Sequence, residues 1–238
     1  MKELKPKSIP LILADLPYGS TKCKWDSIIP FDPLWEQYKR IITDDGVIAL
    51  FAQTPFDKIL GASNIEMLKY EWIWEKSKPT GHLNAKYAPM KKHENILIFT
   101  NNATSYTKEN KDVRYYIDFL LTEVNHLVKR KFKDECVYDK TSNKNTVQKF
   151  TGYPTDIIHF NNVQKPIHPT QKPTELLEFF IKIYTKENET VLDNVMGSGS
   201  TGVACMNIDR KFIGIEKEIT YCNIAKERIN EFYTTGNK

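Results

Sequence analysis

Asp15, Leu16, Pro17 and Tyr18 stand directly after the apolar run Pro10-Leu11-Ile12-Leu13-Ala14. The run reads as a buried strand. The Pro- and Gly-stiffened turn after it sets a carboxylate, a carbonyl beside a proline and an aromatic face at the strand's carboxyl end, where open α/β sheets bind ligands. That set suits a flat base with an exocyclic amino group: Asp15 and the Leu16 carbonyl accept its two N–H bonds while Tyr18 stacks on the ring. The same residue types also make an ordinary turn, and alone they do not separate the two readings.

A second cluster lies late in the chain. Thr190-Val191-Leu192-Asp193 reads as a short strand, followed by Asn194-Val195-Met196-Gly197-Ser198-Gly199-Ser200-Thr201-Gly202, a helix from Thr201 to about Asn207, and a strand Phe212–Ile215 ending before Glu216. Gly197 and Gly199 let backbone approach a ligand closely, and Glu216 can accept both hydroxyls of a ribose. The interval from turn to acid, about 20 residues, is that of a nucleoside-cofactor crossover. The third glycine is misplaced for a dinucleotide fingerprint, and no Gly-Lys-Ser/Thr makes a phosphate loop.

Together these motifs resemble the β-class amino-group (N6-adenine/N4-cytosine) DNA methyltransferases. In that family an Asp-Pro-Pro-Tyr element holds the target base and a Gly-rich element binds S-adenosylmethionine. His168-Pro169-Thr170-Gln171-Lys172-Pro173 is similar to the segment preceding the Gly-rich strand in this permuted class, and Trp72-Ile73-Trp74-Glu75-Lys76 and His93-Glu94-Asn95-Ile96-Leu97 match too. The resemblance implies a circularly permuted, Rossmann-like α/β sheet with an inserted target-recognition region. It implies a catalytic set Asp15, Leu16, Pro17 and Tyr18, and a cofactor set Asp193, Met196, Gly197, Ser198, Gly199, Thr201 and Glu216, with Thr170 and Lys172 at the cofactor's methionine end. Asp at position 15 leans toward adenine. The alternatives are an N4-cytosine enzyme of the same architecture and a non-catalytic DNA-binding relative. A carbon-5 cytosine mechanism needs a thiolate, usually within Pro-Cys, and no Pro-Cys occurs. Double-stranded DNA is the implied partner, with a homodimer and a partner restriction enzyme as further expectations from a bacterial or phage setting.

The sequence departs from the family pattern at three places. Leu16 replaces a proline whose carbonyl alone is needed, and Asn194-Val195 replaces Pro-Phe. Family members also carry a strand ending in Gly-Asp ahead of the stretch matching Met1–Leu4, whose Asp holds the cofactor adenine. Its absence here leads to the expectation of a truncated start or of weak or lost cofactor binding.

The elements that must position these residues follow from periodicity. Leu34, Trp35, Tyr38, Ile41 and Ile42 predict a helix from Phe31 to about Ile42, and Val47–Phe51 a buried strand. A helix from Pro55 to about Leu68, strands at 70–74 and 95–100, and helices Thr174–Tyr184 and Tyr221–Phe232 complete a strand–helix alternation that predicts a parallel sheet covered on both faces. Residues 1–100 and 161–238 then form two halves of one catalytic domain. Between them, 101–160 is polar, and Val113 to about Lys131 reads as helix-like from Tyr116, Leu120, Val124 and Leu127. Lys129, Arg130, Lys131 and Lys133 could neutralise phosphates or simply complement a helix end. His93 and Glu94 could approach the base pocket, and the loop 78–92, with His82 and Lys86, could close over DNA.

At 238 residues with a net charge of +4, the chain is long enough for one substantial core, and its basic balance permits nucleic-acid binding without requiring it. Four scattered cysteines without Cys-x-x-Cys favour a reducing cytoplasm and no structural zinc. No stretch is long and apolar enough to span a membrane.

Overall fold

Strand β1, Ile9–Ala14, is buried at every position, as befits a strand paired on both sides and covered on both faces. The computed structural model describes residues 1–20, 26–102, 114–128, 146–167 and 171–234. They fall into two units, residues 1–116 with 156–238, and residues 117–155.

In the larger unit, β1 is followed by α1 (Phe31–Ile41), β2 (Ile42–Ala52), α2 (Phe56–Ala62), β3 (Leu68–Thr80) and β4 (Lys91–Thr100). The smaller unit holds β5 (Thr122–Val128) and β6 (Thr146–Thr151), and the chain returns through β7 (Ile157–Phe160), α3 (Thr174–Tyr184), β8 (Thr190–Asp193), α4 (Ser200–Asn207), β9 (Lys211–Gly214) and α5 (Ile219–Thr234). The sheet order is β7-β3-β4-β2-β1-β8-β9. Neighbours are parallel except at β4, which runs antiparallel to both β2 and β3. This corrects the expected all-parallel sheet. A parallel neighbour needs a crossover, usually helical, whereas β3 returns directly through the loop 81–90 and must pair antiparallel.

Period-two alternation along β2 divides the core. Ile48, Leu50 and Ala52 join Leu34, Trp35, Tyr38 and Ile41 of α1 and Phe56 and Leu60 of α2 in one apolar cluster. Phe51 points the other way and meets Phe180 of α3 edge-on at 6.2 Å. Helices therefore cover both faces. The second helix stops at Ala62, short of the predicted Leu68, because Gly61, Ser63 and Asn64 turn the chain, with the Met67 and Leu68 N–H groups both donating to the Asn64 carbonyl.

The helix expected from Val113 to Lys131 is overturned within the described residues. A 3-10 turn spans Asp118–Leu120, and β5 pairs antiparallel with β6. β-Branched Thr122 and Val128, at the two ends of β5, pair with Thr151 and Thr146, and the strand preference prevailed over a coincidental helical spacing.

The crossover β1–α1–β2 runs outward to one side of β1, and β8–α4–β9 to the other. The loops after the adjacent parallel strands β1 and β8 thus diverge and leave a crevice at the carboxyl edge.

Candidate active site

A cavity of about 750 Å³ fills this crevice, and Asp15, Leu16, Pro17 and Tyr18 line it together with Lys172, Asp193, Met196, Gly197, Ser198, Thr201 and Glu216. Residues from the two ends of the sequence thus share one chamber. Gly199 does not line it. Its backbone sits at φ +79°, and a Cβ there would lie 2.7 Å from Cβ of Ala225 in α5. The sequence reading gave this glycine to close ligand approach; here it serves the left-handed turn into α4 and the packing of α5. Thr170 and the basic residues Lys129, Arg130, Lys131 and Lys133 lie outside the described residues.

At the β1 end, the Tyr18 hydroxyl donates to Asp15 Oδ1 at 2.7 Å, and Lys172 Nζ donates to Oδ2 at 2.5 Å. Phe56, at the start of α2, stacks on the Tyr18 ring with centroids 5.0 Å apart, so the aromatic wall is braced by the core. Lys172 stands immediately before α3, bridges to Glu94 Oε2 at 3.3 Å and lies over the Phe51 ring. Glu94 also takes Lys76 as a buried ion-pair partner and accepts a bond from Gln53 at 3.0 Å. The charges alternate along the row Asp15, Lys172, Glu94, Lys76.

The antiparallel β4 explains this assembly. Its beginning, with Glu94, lies beside the ends of β2 and β3, so Gln53 and Lys76 meet Glu94 at the same sheet edge as Asp15. The sequence had placed Lys172 at a cofactor's methionine end; the structure brings it to the Asp15 carboxylate. Glu94 was singled out beside His93, whereas Lys76 and Gln53 carried no sequence signal beyond Lys76 lying in a family-like stretch.

Burial sets the electrostatics. It raises the Asp15 carboxyl above its ordinary value, with Lys172 opposing and Glu94 adding to the rise. Burial alone would raise Glu94 too, but Lys172 and Lys76 outweigh it and hold that carboxyl below the usual range. Burial would lower the Lys172 ammonium, yet Asp15 and Glu94 keep it raised. With 22% of its side-chain surface still accessible, Asp15 faces the cavity.

At the β8 end the backbone does most of the work. Asp193 accepts from the Val195 N–H at 3.1 Å and the Thr201 hydroxyl at 2.7 Å, pinning the turn to the first residues of α4. Burial lifts its carboxyl to about 7 against those two bonds. Glu216 accepts one N–H on each oxygen, from Gly197 at 2.9 Å and from Glu218 at 2.8 Å. Arg228 of α5 donates to the Ser198 carbonyl at 2.6 Å and to its hydroxyl at 3.1 Å. Asn194, where the family pattern has proline, accepts the buried Tyr38 hydroxyl of α1 at 2.5 Å, which ties the turn to the core.

Among the described residues no group of three or more His, Cys, Asp or Glu side chains could hold a metal ion, and no helix is long and apolar enough to cross a membrane.

The pattern of the N6/N4 DNA methylase family matches residues 9–227. The chain is 28% identical over 266 residues to the Type II methyltransferase M2.LlaDCHI of Lactococcus lactis subsp. cremoris, covering 99% of this chain and 87% of that one. It is also 28% identical to M.HpaI of Haemophilus parainfluenzae, over 97% of this chain and 71% of the relative. Among solved structures, the complex of M1.HpyAVI with SAM aligns at a TM-score of 0.59 and 26% identity, covering 95% of this chain and 90% of that one. The cytosine-N4-specific PvuII DNA methyltransferase aligns at 0.67 but 15% identity, over 98% and 87% of the two chains, a likeness of fold alone.

Proposed function

The chain belongs to the N6/N4 DNA methylase family, and on that premise we propose that it methylates the N6 amino group of adenine in double-stranded DNA, acting directly on a base turned out of the duplex. The observation that carries the reading is the shared cavity: Asp15 and Tyr18 at the end of β1, and the Gly197 turn with Glu216 at the ends of β8 and β9.

The residues fit S-adenosylmethionine. Each Glu216 oxygen accepts a single protein N–H and keeps a lone pair for a ribose hydroxyl. Met196, Gly197 and Ser198 give the turn that faces the nucleoside, with Asp193 and Thr201 holding its shape. The bound donor supplies a methyl group already activated by the positive sulfur, so no enzyme nucleophile is required.

The chain's own residues then position the acceptor. The adenine amino group donates to Asp15 and to the Leu16 carbonyl, which favours a pyramidal nitrogen with its lone pair free to attack in line. Tyr18 stacks on the ring and offsets part of the unstacking cost. Lys172 and the Tyr18 hydroxyl each occupy one Asp15 oxygen and fix the carboxylate's orientation. Aligning two bound reactants in this way contributes up to about 7–11 kcal/mol. The product's proton is acidic, and Asp15, raised by burial, takes it briefly before water does. Residues 101–160 are assigned to target recognition, with Lys129, Arg130, Lys131 and Lys133 on phosphates. A restriction enzyme is its proposed partner.

Label transfer from S-adenosylmethionine to unmethylated DNA tests the site. Asp15→Ala is expected to lower the rate by about a hundredfold or more while donor binding, read as a rise in melting temperature, persists. Full activity in Asp15→Ala or Tyr18→Ala would remove the catalytic assignment.

A further inference from the structure

The return from β3 to β4 is exposed throughout and yet shaped. Every residue from Gly81 to His93 is exposed, including Leu83 at 97% and Tyr87 at 89%. Yet the loop is internally bonded: the Asn84 N–H donates to the Gly81 carbonyl, and the Tyr87 and Ala88 N–H groups donate to the Asn84 carbonyl at 2.9 and 3.0 Å. Its base is anchored where Lys91 Nζ donates to the Thr54 carbonyl and Lys92 pairs with Glu75. Thr80, at its root, lines the catalytic cavity. Residues 78–93 contain four lysines and two histidines and no acid. A shaped loop that holds an aliphatic and an aromatic side chain in water, on a segment whose own charged residues are all basic, with its root in the base-binding chamber, matches a polyanion with stacked rings inside it.

We propose that loop 81–90 is a duplex-facing wedge, with Leu83 and Tyr87 entering the stack where the target base leaves it, and Lys78 and Lys86 on the flanking phosphates. This rests on the reading that the enzyme acts on an everted base. Apolar wedges of this kind offset the cost of unstacking by restoring contact with the neighbouring base pairs, and a mismatched base needs less such help because it is already poorly stacked.

The test is binding of the full chain to one duplex in two forms, fully paired and with a single mismatch. Leu83→Ala/Tyr87→Ala is expected to weaken binding to the paired duplex by about tenfold or more, the order seen when stacking side chains are truncated, and to weaken binding to the mismatched form much less. Both side chains lie in water, so the melting temperature should stay at the wild-type value. Unchanged affinity for the paired duplex, equal losses on both forms, or no DNA binding by the wild type would overturn the wedge. A wild type that binds both duplexes, with the double variant losing the paired form selectively, yet with no methyl transferred, would sink the adenine reading and leave the wedge standing.

Discussion

The two ends of the cavity are made in opposite ways. At the β1 end, four side chains of alternating charge meet from distant parts of the chain: Asp15 and Lys172, which are 157 residues apart, then Glu94 and Lys76. At the β8 end, one contiguous turn, Asp193–Thr201, presents backbone N–H groups and small side chains, joined by Glu216 across the next crossover. The first arrangement is strong in orientation and sensitive to any lost charge, because Lys172, Glu94 and Lys76 are buried with their partners. The second is tolerant of side chains and strict about backbone path. On the proposed reading, placing the reacting amino group falls to the first and gripping a nucleoside to the second.

Removing a charge should therefore hurt the first end most. In Lys172→Met, Asp15 and Glu94 face each other without a cation between them, and a broken buried pair costs about 3–5 kcal/mol, readable as a lower urea midpoint. The sign of the pH effect follows from the pair. Lys172 pulls the Asp15 carboxyl down against burial, so without it that carboxyl binds protons more tightly. If ionised Asp15 is the active form, the acidic limb of the kcat profile moves to higher pH, and Lys172→Arg moves it part of the way back. A limb that stays in place in Lys172→Met would detach Lys172 from the Asp15 carboxylate's function.

The second end should respond in donor binding instead. If Glu216 holds the ribose as proposed, Glu216→Ala is expected to raise KM for S-adenosylmethionine by about tenfold or more, with kcat at saturating donor little changed. A fall in kcat with KM unaltered would place Glu216 with the chemistry and erase the contrast between the two ends.

How much could be read in advance tracks the same contrast. The β8 end depends on local order, and the sequence predicted β8 at Thr190–Asp193 and α3 at Thr174–Tyr184 with the bounds the structure has. That the turn at Gly197 and the acid Glu216 belong to one crossover followed from spacing; the hydrogen bond between them did not. The β1 end depends on strand direction. The short, helix-free return through 81–90 does say that β4 runs antiparallel to β3, but nothing local says that Glu94 then meets Lys76 and Gln53, or that Lys172 reaches Asp15. Gly199 shows a different limit: its place in a Gly-rich turn was legible, but its left-handed backbone and the neighbour it makes room for, Ala225 in a helix later in the chain, were not. The segment around β5 failed for a third reason, since Tyr116, Leu120, Val124 and Leu127 satisfy a helical period by coincidence in a stretch whose Thr122 and Val128 pair with β6.

The central claim is the identity of the atom methylated. Unmethylated DNA incubated with the wild-type protein and S-adenosylmethionine, digested to nucleosides and resolved by mass spectrometry, should yield N6-methyladenine. N4-methylcytosine would contradict the adenine assignment drawn from Asp15. No methylated nucleoside from folded protein would contradict methyl transfer itself.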